Sequence, residues 1–203
     1  KQYSSYVERA LRRLGYKTMH QIVDMSEYGV PQNRKRFILV AMRDYFPKDV
    51  FETLARNKDA FCLSKGISCT TSIKDAISDL EQANGSMPSP DTKGFMAGIY
   101  GPEQSGYQRL MRSGIETTGL IADSHRFVNH RKNTIKLHKE LLEKAPVGKR
   151  ITPSDNIVEN LNRRGVTVLD ANAQAPTVTS IPDELVHYKE PRILTVREHA
   201  RIQ

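Results

Sequence analysis

Between Gln32 and Arg36 the chain reads Gln-Asn-Arg-Lys-Arg, a run of amide and cationic donors. In extended backbone alternate side chains point the same way, so Gln32, Arg34 and Arg36 share one face and Asn33 and Lys35 the other. Two guanidiniums beside an amide match phosphate oxygens or a base edge. Gly29 and Pro31, in the preceding Tyr28-Gly29-Val30-Pro31, set the turn that delivers them. The same pattern also suits a basic edge strand whose charges discourage edge-to-edge pairing, and spacing alone does not separate the two.

A second cluster is His125-Arg126-Phe127-Val128-Asn129-His130-Arg131-Lys132-Asn133. A metal site would need further ligands at a workable spacing, and the sequence shows none, so no metal is expected. As a nucleic-acid contact, Arg126, Arg131 and Lys132 would meet phosphates and Asn129 or His130 would make a polar contact. A solvated basic lead-in to a helix fits equally. Arg163-Arg164 is a further phosphate-clamp candidate, or a plain polar turn. Phe95, Tyr100 and Tyr107 are of the type that stacks on bases, though isolated aromatics in a mixed domain more often fill a core. Cys62 and Cys69 are too few for a disulfide framework and lack CxxC spacing, so they read as two small semi-buried thiols.

These residues need elements to hold them. The opening reads as a helix, with Ser5 and Glu8 as a capping box and Tyr6, Ala10, Leu11 and Leu14 as its apolar face. Arg12 and Arg13 suit its last turn, and Gly15 its left-handed stop. An extended run follows from Lys17 to Val23. After the Gly-Pro turn comes a strand from Arg36 to Met42, whose near-continuous apolar character implies burial on both faces. A short helix is read at Asp49 to Arg56. A stronger one spans Ser72 to Leu80, capped by Ser72 and Asp75. Loops and short strands are expected from Ala83 to Gly119, and a helix from Thr134 to Lys144. Thr195-Val196-Arg197-Glu198 forms another capping box, opening a final helix, and a structural role is read for Thr195, Arg197 and Glu198, together with Arg192 and Arg201.

Composition bounds the class. The 203 residues are 38% hydrophobic and 27% charged, a globular balance. No apolar run approaches the ~18 residues of a membrane span, and the polar opening is unlike a signal peptide. Few cysteines fit a reducing cytoplasm. A formal net charge of +8 makes a polyanion partner plausible. The chain opens on Lys1 rather than Met and stops at Gln203 inside an apparent helix, which reads as a fragment.

Leu14-Gly15-Tyr16 through Arg43, centred on Tyr28-Gly29-Val30-Pro31-Gln32-Asn33-Arg34-Lys35-Arg36, resembles the QxRxR block of the cytosine-C5 DNA methyltransferases. Ala175-Pro176-Thr177-Val178-Thr179 resembles the lead-in to that family's next block. The closing stretch from Arg192 through Leu194-Thr195-Val196-Arg197-Glu198 to Gln203 resembles the block itself. The blocks stand in the family's order, separated by a long variable region. The resemblance implies an enzyme that flips a cytosine from double-stranded DNA. A cysteine thiolate attacks C6, a glutamate assists at N3, and a methyl group passes from S-adenosyl-L-methionine to C5. It implies that Arg34 and Arg36 hold the flipped nucleotide and its phosphates, that Gln32 supports them, and that the variable region is the target recognition domain.

The departures bear as strongly. The family's nucleophile follows a proline, whereas Cys62 follows Phe61 and Cys69 follows Ser68. The Glu-Asn-Val block and the glycine-rich cofactor loop are absent from these residues. The expectation is therefore a mixed α/β chain. A helix and antiparallel strand pair from the end of a Rossmann-like methyltransferase domain (1–43) join an irregular, small-strand recognition domain (44–174), and a return segment follows (175–203). It would be inactive alone and completed by an N-terminal catalytic part in cis or in trans. It would be cytoplasmic, with self-association covering apolar surface and most of the cofactor site outside it. A restriction-modification setting fits. The alternatives are a non-enzymatic DNA-binding module and a basic domain that binds protein.

Overall fold

The computed structural model describes residues 2–115, 121–159, 161 and 165–203. Helix α1 (Gln2–Arg13) precedes β1 (Lys17–Asp24) and β2 (Lys35–Met42), which pair antiparallel from Lys17 opposite Met42 to Asp24 opposite Lys35. Then come α2 (Lys48–Ser64) and α3 (Ile73–Ile77). Strands β3 (Ser86–Pro88) and β4 (Met96–Ile99), helix α4 (Gly106–Arg112) and strand β5 (Ile121–Arg126) follow. The chain closes with α5 (Lys132–Lys144), β6 (Arg150–Ile151), β7 (Val166–Val168), β8 (Leu185–Val186) and α6 (Val196–Ile202). Strands β3, β4 and β5 form one antiparallel sheet; β6, β7 and β8 form another, in which β7 and β8 run parallel. The mixed α/β class and the small irregular strands are as expected.

The opening helix corrects two details. It already includes Gln2, so Ser5 lies inside it rather than at its cap. Its expected apolar face is only partly covered: Ala10 and Leu11 are half-buried, while Tyr6 is 62% exposed and Leu14 68%. Polar contacts hold α1 to β1 instead, through Arg12 Nε donating to Thr18 Oγ1 at 2.7 Å and the close Glu8–His20 pair. Gly15 does end the turn after the helix, with φ of 85°. Strand β2 is likewise not buried on both faces; none of its residues is fully buried and Phe37 is 47% exposed. Among the described residues its one sheet partner is β1, and apolar composition alone did not secure full cover on both faces.

Helix α2 runs well past the expected Arg56, because no Gly or Pro interrupts the chain before Gly66. The capping box of Ser72 and Asp75 is present, and Ile73, Ala76, Ile77 and Leu80 are wholly buried, though the α-helix gives way to a 3-10 turn at Ser78. Helix α4 lies where only loops and short strands were expected. Ser105 caps it by accepting from Gln108 N–H, and seven residues are too short to show a helical period. Two cores result. One joins α3, Tyr107, Ala122, Leu169, Ala175, Leu185, Leu194 and Ile202. The other joins Leu141 of α5 to Ile151, Val166, Val168 and Val186. The first core thus packs the return segment directly on α3.

Candidate nucleic-acid interface

The turn before Gln32 is built by local bonds. Asp24 Oδ1 accepts from Ser26 N–H at 3.2 Å and from Ser26 Oγ at 2.7 Å, starting a 3-10 turn over Met25–Tyr28. Those bonds hold the Asp24 carboxyl below its ordinary range. Gly29 ends the turn in the left-handed region, φ 84°, and its N–H donates to the Cys69 carbonyl at 2.8 Å. A Cβ there would sit 2.7 Å from Ile67 Cδ1, so the position needs glycine twice over.

The two motif segments then lie side by side. Gln32 and Ala175 form a parallel bridge: Ala175 N–H donates to the Pro31 carbonyl at 3.0 Å and Asn33 N–H to the Ala175 carbonyl at 2.8 Å. Thr177 Oγ1 donates to the Asn33 carbonyl at 2.7 Å, and Gln174 Nε2 to the Ser26 carbonyl at 3.2 Å. Gln174 and Thr177 were not singled out as site residues. Thr177 lies in the motif lead-in, but no local pattern marks a side chain that bonds across so long a stretch of chain.

Alternation carries through the segment. Gln32 is buried and Arg34, Arg36 and Ile38 half-buried, while Asn33, Lys35 and Phe37 are exposed. Arg34 Nη1 donates to Gln32 Oε1 at 3.2 Å, and Gln32 Nε2 reaches the Ile202 carbonyl at 3.5 Å. Arg36 Nη1 donates to the Lys35 carbonyl at 2.9 Å. Gln32 is 0% exposed, so it offers no atom to a duplex; this corrects its reading as a contact and makes it the support beneath Arg34.

The His125–Asn133 cluster is split by the fold. His125 is buried between the Leu80 carbonyl and Thr195 Oγ1, each at 2.8 Å. The carbonyl can only accept, so Nε2 carries the proton and Nδ1 accepts from Thr195. Burial holds this imidazole below its ordinary range. His130 Nε2 accepts from Ile193 N–H at 3.3 Å and its ring meets His138 edge-on, which corrects its reading as an outward contact. Arg126 is exposed, stacked 4.5 Å over Phe95 and bonded to Thr92 Oγ1 at 3.1 Å. Asn129 is exposed and donates to the Gly94 carbonyl at 3.0 Å. Arg131 and Lys132 are exposed at the start of α5, whose first turn holds no acidic residue. Tyr107 is buried, its hydroxyl donating to the Arg201 carbonyl at 2.7 Å, and Tyr100 lies under Arg112. Arg163 and Arg164 lie outside the described residues.

Helix α6 locks this arrangement. Its capping box forms as read, with Thr195 Oγ1 accepting from Glu198 N–H and Glu198 Oε2 accepting from Thr195 N–H at 2.7 Å. Arg192 grips Glu198, Arg201 pairs with buried Asp79 at 3.3 Å, and Arg197 clamps Asp123 at 2.6 Å. Among the described residues no cluster of three or more His, Cys, Asp or Glu suits a metal ion. Among the described residues no closely spaced run of glycines joins a strand to a helix in the way that cradles a nucleotide cofactor.

The C-5 cytosine-specific DNA methylase family matches residues 4–203. The Type II methyltransferase M.MspI of Moraxella sp. is 36% identical over 66 residues, covering 27% of this chain and 16% of that protein. A solved structure from E. coli, described as a DNA modification methyltransferase encoded within a prophage, superposes with a TM-score of 0.56 at 18% identity, covering 100% of this chain and 54% of that one. That likeness speaks for the fold, and the chain spans about half the length of that structure. With the family match running through both motif segments that the Gln32–Ala175 bridge brings together, the chain belongs to the C-5 cytosine-specific DNA methylases.

Proposed function

We propose that this chain is the DNA-facing portion of a DNA (cytosine-5-)-methyltransferase. Arg34 and Arg36 hold the flipped cytosine and its flanking phosphates, and residues 44–174 read the target sequence. The observation that carries this is the seating of Arg34. Its partner is the neutral amide of a buried Gln32 pinned beside Ala175, and that of Arg36 is a backbone carbonyl, so both guanidiniums keep their charge for an anion. Arg131 and Lys132 add exposed cations at the positive end of the α5 dipole, an arrangement that a bound phosphate relieves. Arg126 and Asn129 flank them from the β5 side, and Arg163 and Arg164 belong to the same proposed contact set.

In this reading the nucleophile and the S-adenosyl-L-methionine loop come from residues outside these 203, in cis or in trans, and the chain alone transfers no methyl group. The exposed Tyr3, Tyr6, Ile22 and Phe37 would be covered by that catalytic part, or by a second copy in its absence. Among the described residues no helix is long and apolar enough to cross a membrane. The Type II label of its Moraxella relative supports a restriction-modification setting.

The test is methyl transfer from labelled S-adenosyl-L-methionine by a complete enzyme carrying this stretch. Arg34→Ala and Arg36→Ala should each cut turnover and weaken DNA binding; unchanged turnover with unchanged affinity overturns the assignment. The second reading, a non-enzymatic DNA-binding module, is motivated by the net charge of +8 and the missing Pro-Cys dipeptide. It is favoured instead if this chain binds duplex DNA with a steep salt dependence while no complementing part restores methyl transfer.

A further inference from the structure

The two cysteines, which in sequence look like unrelated thiols, meet in the fold. Cys62 is buried in the last turns of α2, and Cys69 is half-buried on the loop that leads to α3. Gly66, at φ 68°, reverses the chain between them, and Ile67 N–H donates to the Cys62 carbonyl at 3.0 Å. This folds the loop back on the helix end. Cys69 Sγ then lies 3.7 Å from the Lys58 carbonyl and 3.4 Å from Asp59 Oδ1. Lys58 sits one helical turn before Cys62, and a helical Cβ leans back toward the preceding turn. The Cys62 side chain and the Cys69 sulfur therefore face the same turn of α2.

We propose that Cys62 and Cys69 form a reversible intramolecular disulfide site, oxidised by low-molecular-weight disulfides. The more accessible Cys69 thiolate attacks one sulfur of the small disulfide, forming a mixed disulfide and releasing one small thiol. The Cys62 thiolate then attacks the Cys69 sulfur, forming the internal bond and releasing the second small thiol. Two protein thiols and one disulfide thus become one protein disulfide and two thiols, with protons and electrons balanced. The neighbouring Cys62 thiol, burial and the Asp59 carboxylate push the Cys69 thiol up to about 12, so exchange at neutral pH is slow. The location has reach: Cys69 presents its carbonyl to Gly29 N–H, at the turn that delivers Gln32 and Arg34. A cross-link would tie α2 to the loop behind that turn. This inference stands on the fold alone and does not depend on the DNA-binding assignment.

The reduced chain is incubated with oxidised glutathione, acid-quenched, unfolded and labelled with maleimide. The expected product is a monomer, two hydrogens lighter, with neither label nor glutathione, which recovers both labels after dithiothreitol. Lys65 lies between the cysteines, so a tryptic digest should yield their two peptides joined. Cys62→Ser, which lacks the resolving thiol, should accumulate one glutathione on Cys69. The tryptic link in the native chain answers the question even if that variant folds poorly. Two free thiols retained once exchange with the oxidant has reached equilibrium would overturn the proposal. So would a persistent mixed disulfide or a disulfide-linked dimer.

Discussion

Arg192 holds Glu198 with both terminal nitrogens, each 2.7 Å from a carboxylate oxygen, where the two side chains are only 6% and 0% exposed. Glu198 is also the capping partner of Thr195, so one carboxylate anchors the start of α6 and neutralises a buried guanidinium. Glu198→Ala removes the bidentate contact and leaves Arg192 with Glu190 as its acidic partner. Removing one member of a buried pair costs about 3–5 kcal/mol. Losing the cap alone, in Thr195→Ala, should cost about 1 kcal/mol. Urea midpoints of the two variants check the ranking, and equal losses would refute the keystone role of the pair.

Acid should unfold the protein in two steps of the same sign. Burial holds the His187 imidazole down to about 4, with Glu198 opposing and Arg192 adding to the effect. Below the ordinary 6.5 the unfolded chain takes up a proton that the folded chain refuses, so stability falls from about pH 6.5 to 4. His125 acts in the same direction. For Glu198, burial raises the pKa but Arg192 prevails and holds it at about 2. Its contribution is complete above the ordinary 4.5 and is lost as pH falls from there toward 2. Asp79 offsets part of this, because burial lifts its carboxyl above 3.8 despite Arg201 and Arg112. Urea midpoints across this range should fall with pH, and His187→Gln should flatten the upper step.

Gly29→Ala places a Cβ 2.7 Å from Ile67 Cδ1 and 3.2 Å from the Ser68 carbonyl at a φ of 84°. The left-handed backbone alone costs about 1–2 kcal/mol for a residue with a Cβ. Thermal unfolding should show a loss of at least that size. In the complete enzyme turnover should fall too, since Gly29 ends the turn that aims Arg34.

Gln32→Ala leaves the Ile202 carbonyl and the Arg34 guanidinium without their shared amide. Unmade buried hydrogen bonds of this kind cost about 1–3 kcal/mol. Denaturation should register that loss. Methyl transfer by the complete enzyme should drop further than in a surface control such as Lys136→Ala.

Arg131→Ala and Lys132→Ala, at exposed positions, should leave stability within about 0.5 kcal/mol of the parent. If each meets a phosphate, the slope of log K against log salt should shrink by about 0.9 per substitution. Fluorescence anisotropy on duplex DNA across a salt series measures this, and an unchanged slope removes that residue from the contact set.

What the sequence determined by itself is what depends on residues a few positions apart. The Ser72–Asp75 and Thr195–Glu198 caps, the β1–β2 pair and the alternation of Gln32, Arg34 and Arg36 all formed as read, because each is a local contact or a backbone period. Tertiary structure decided the rest. It left β2 only half-buried despite its apolar run, buried Gln32 and turned His130 inward to Ile193. It also placed Cys69 on the turn beneath Cys62 and set Gln32 beside Ala175. Burial is a property of whatever packs against a residue, and a bond between distant segments forms only once the intervening chain has folded. No spacing within either segment encodes such a contact.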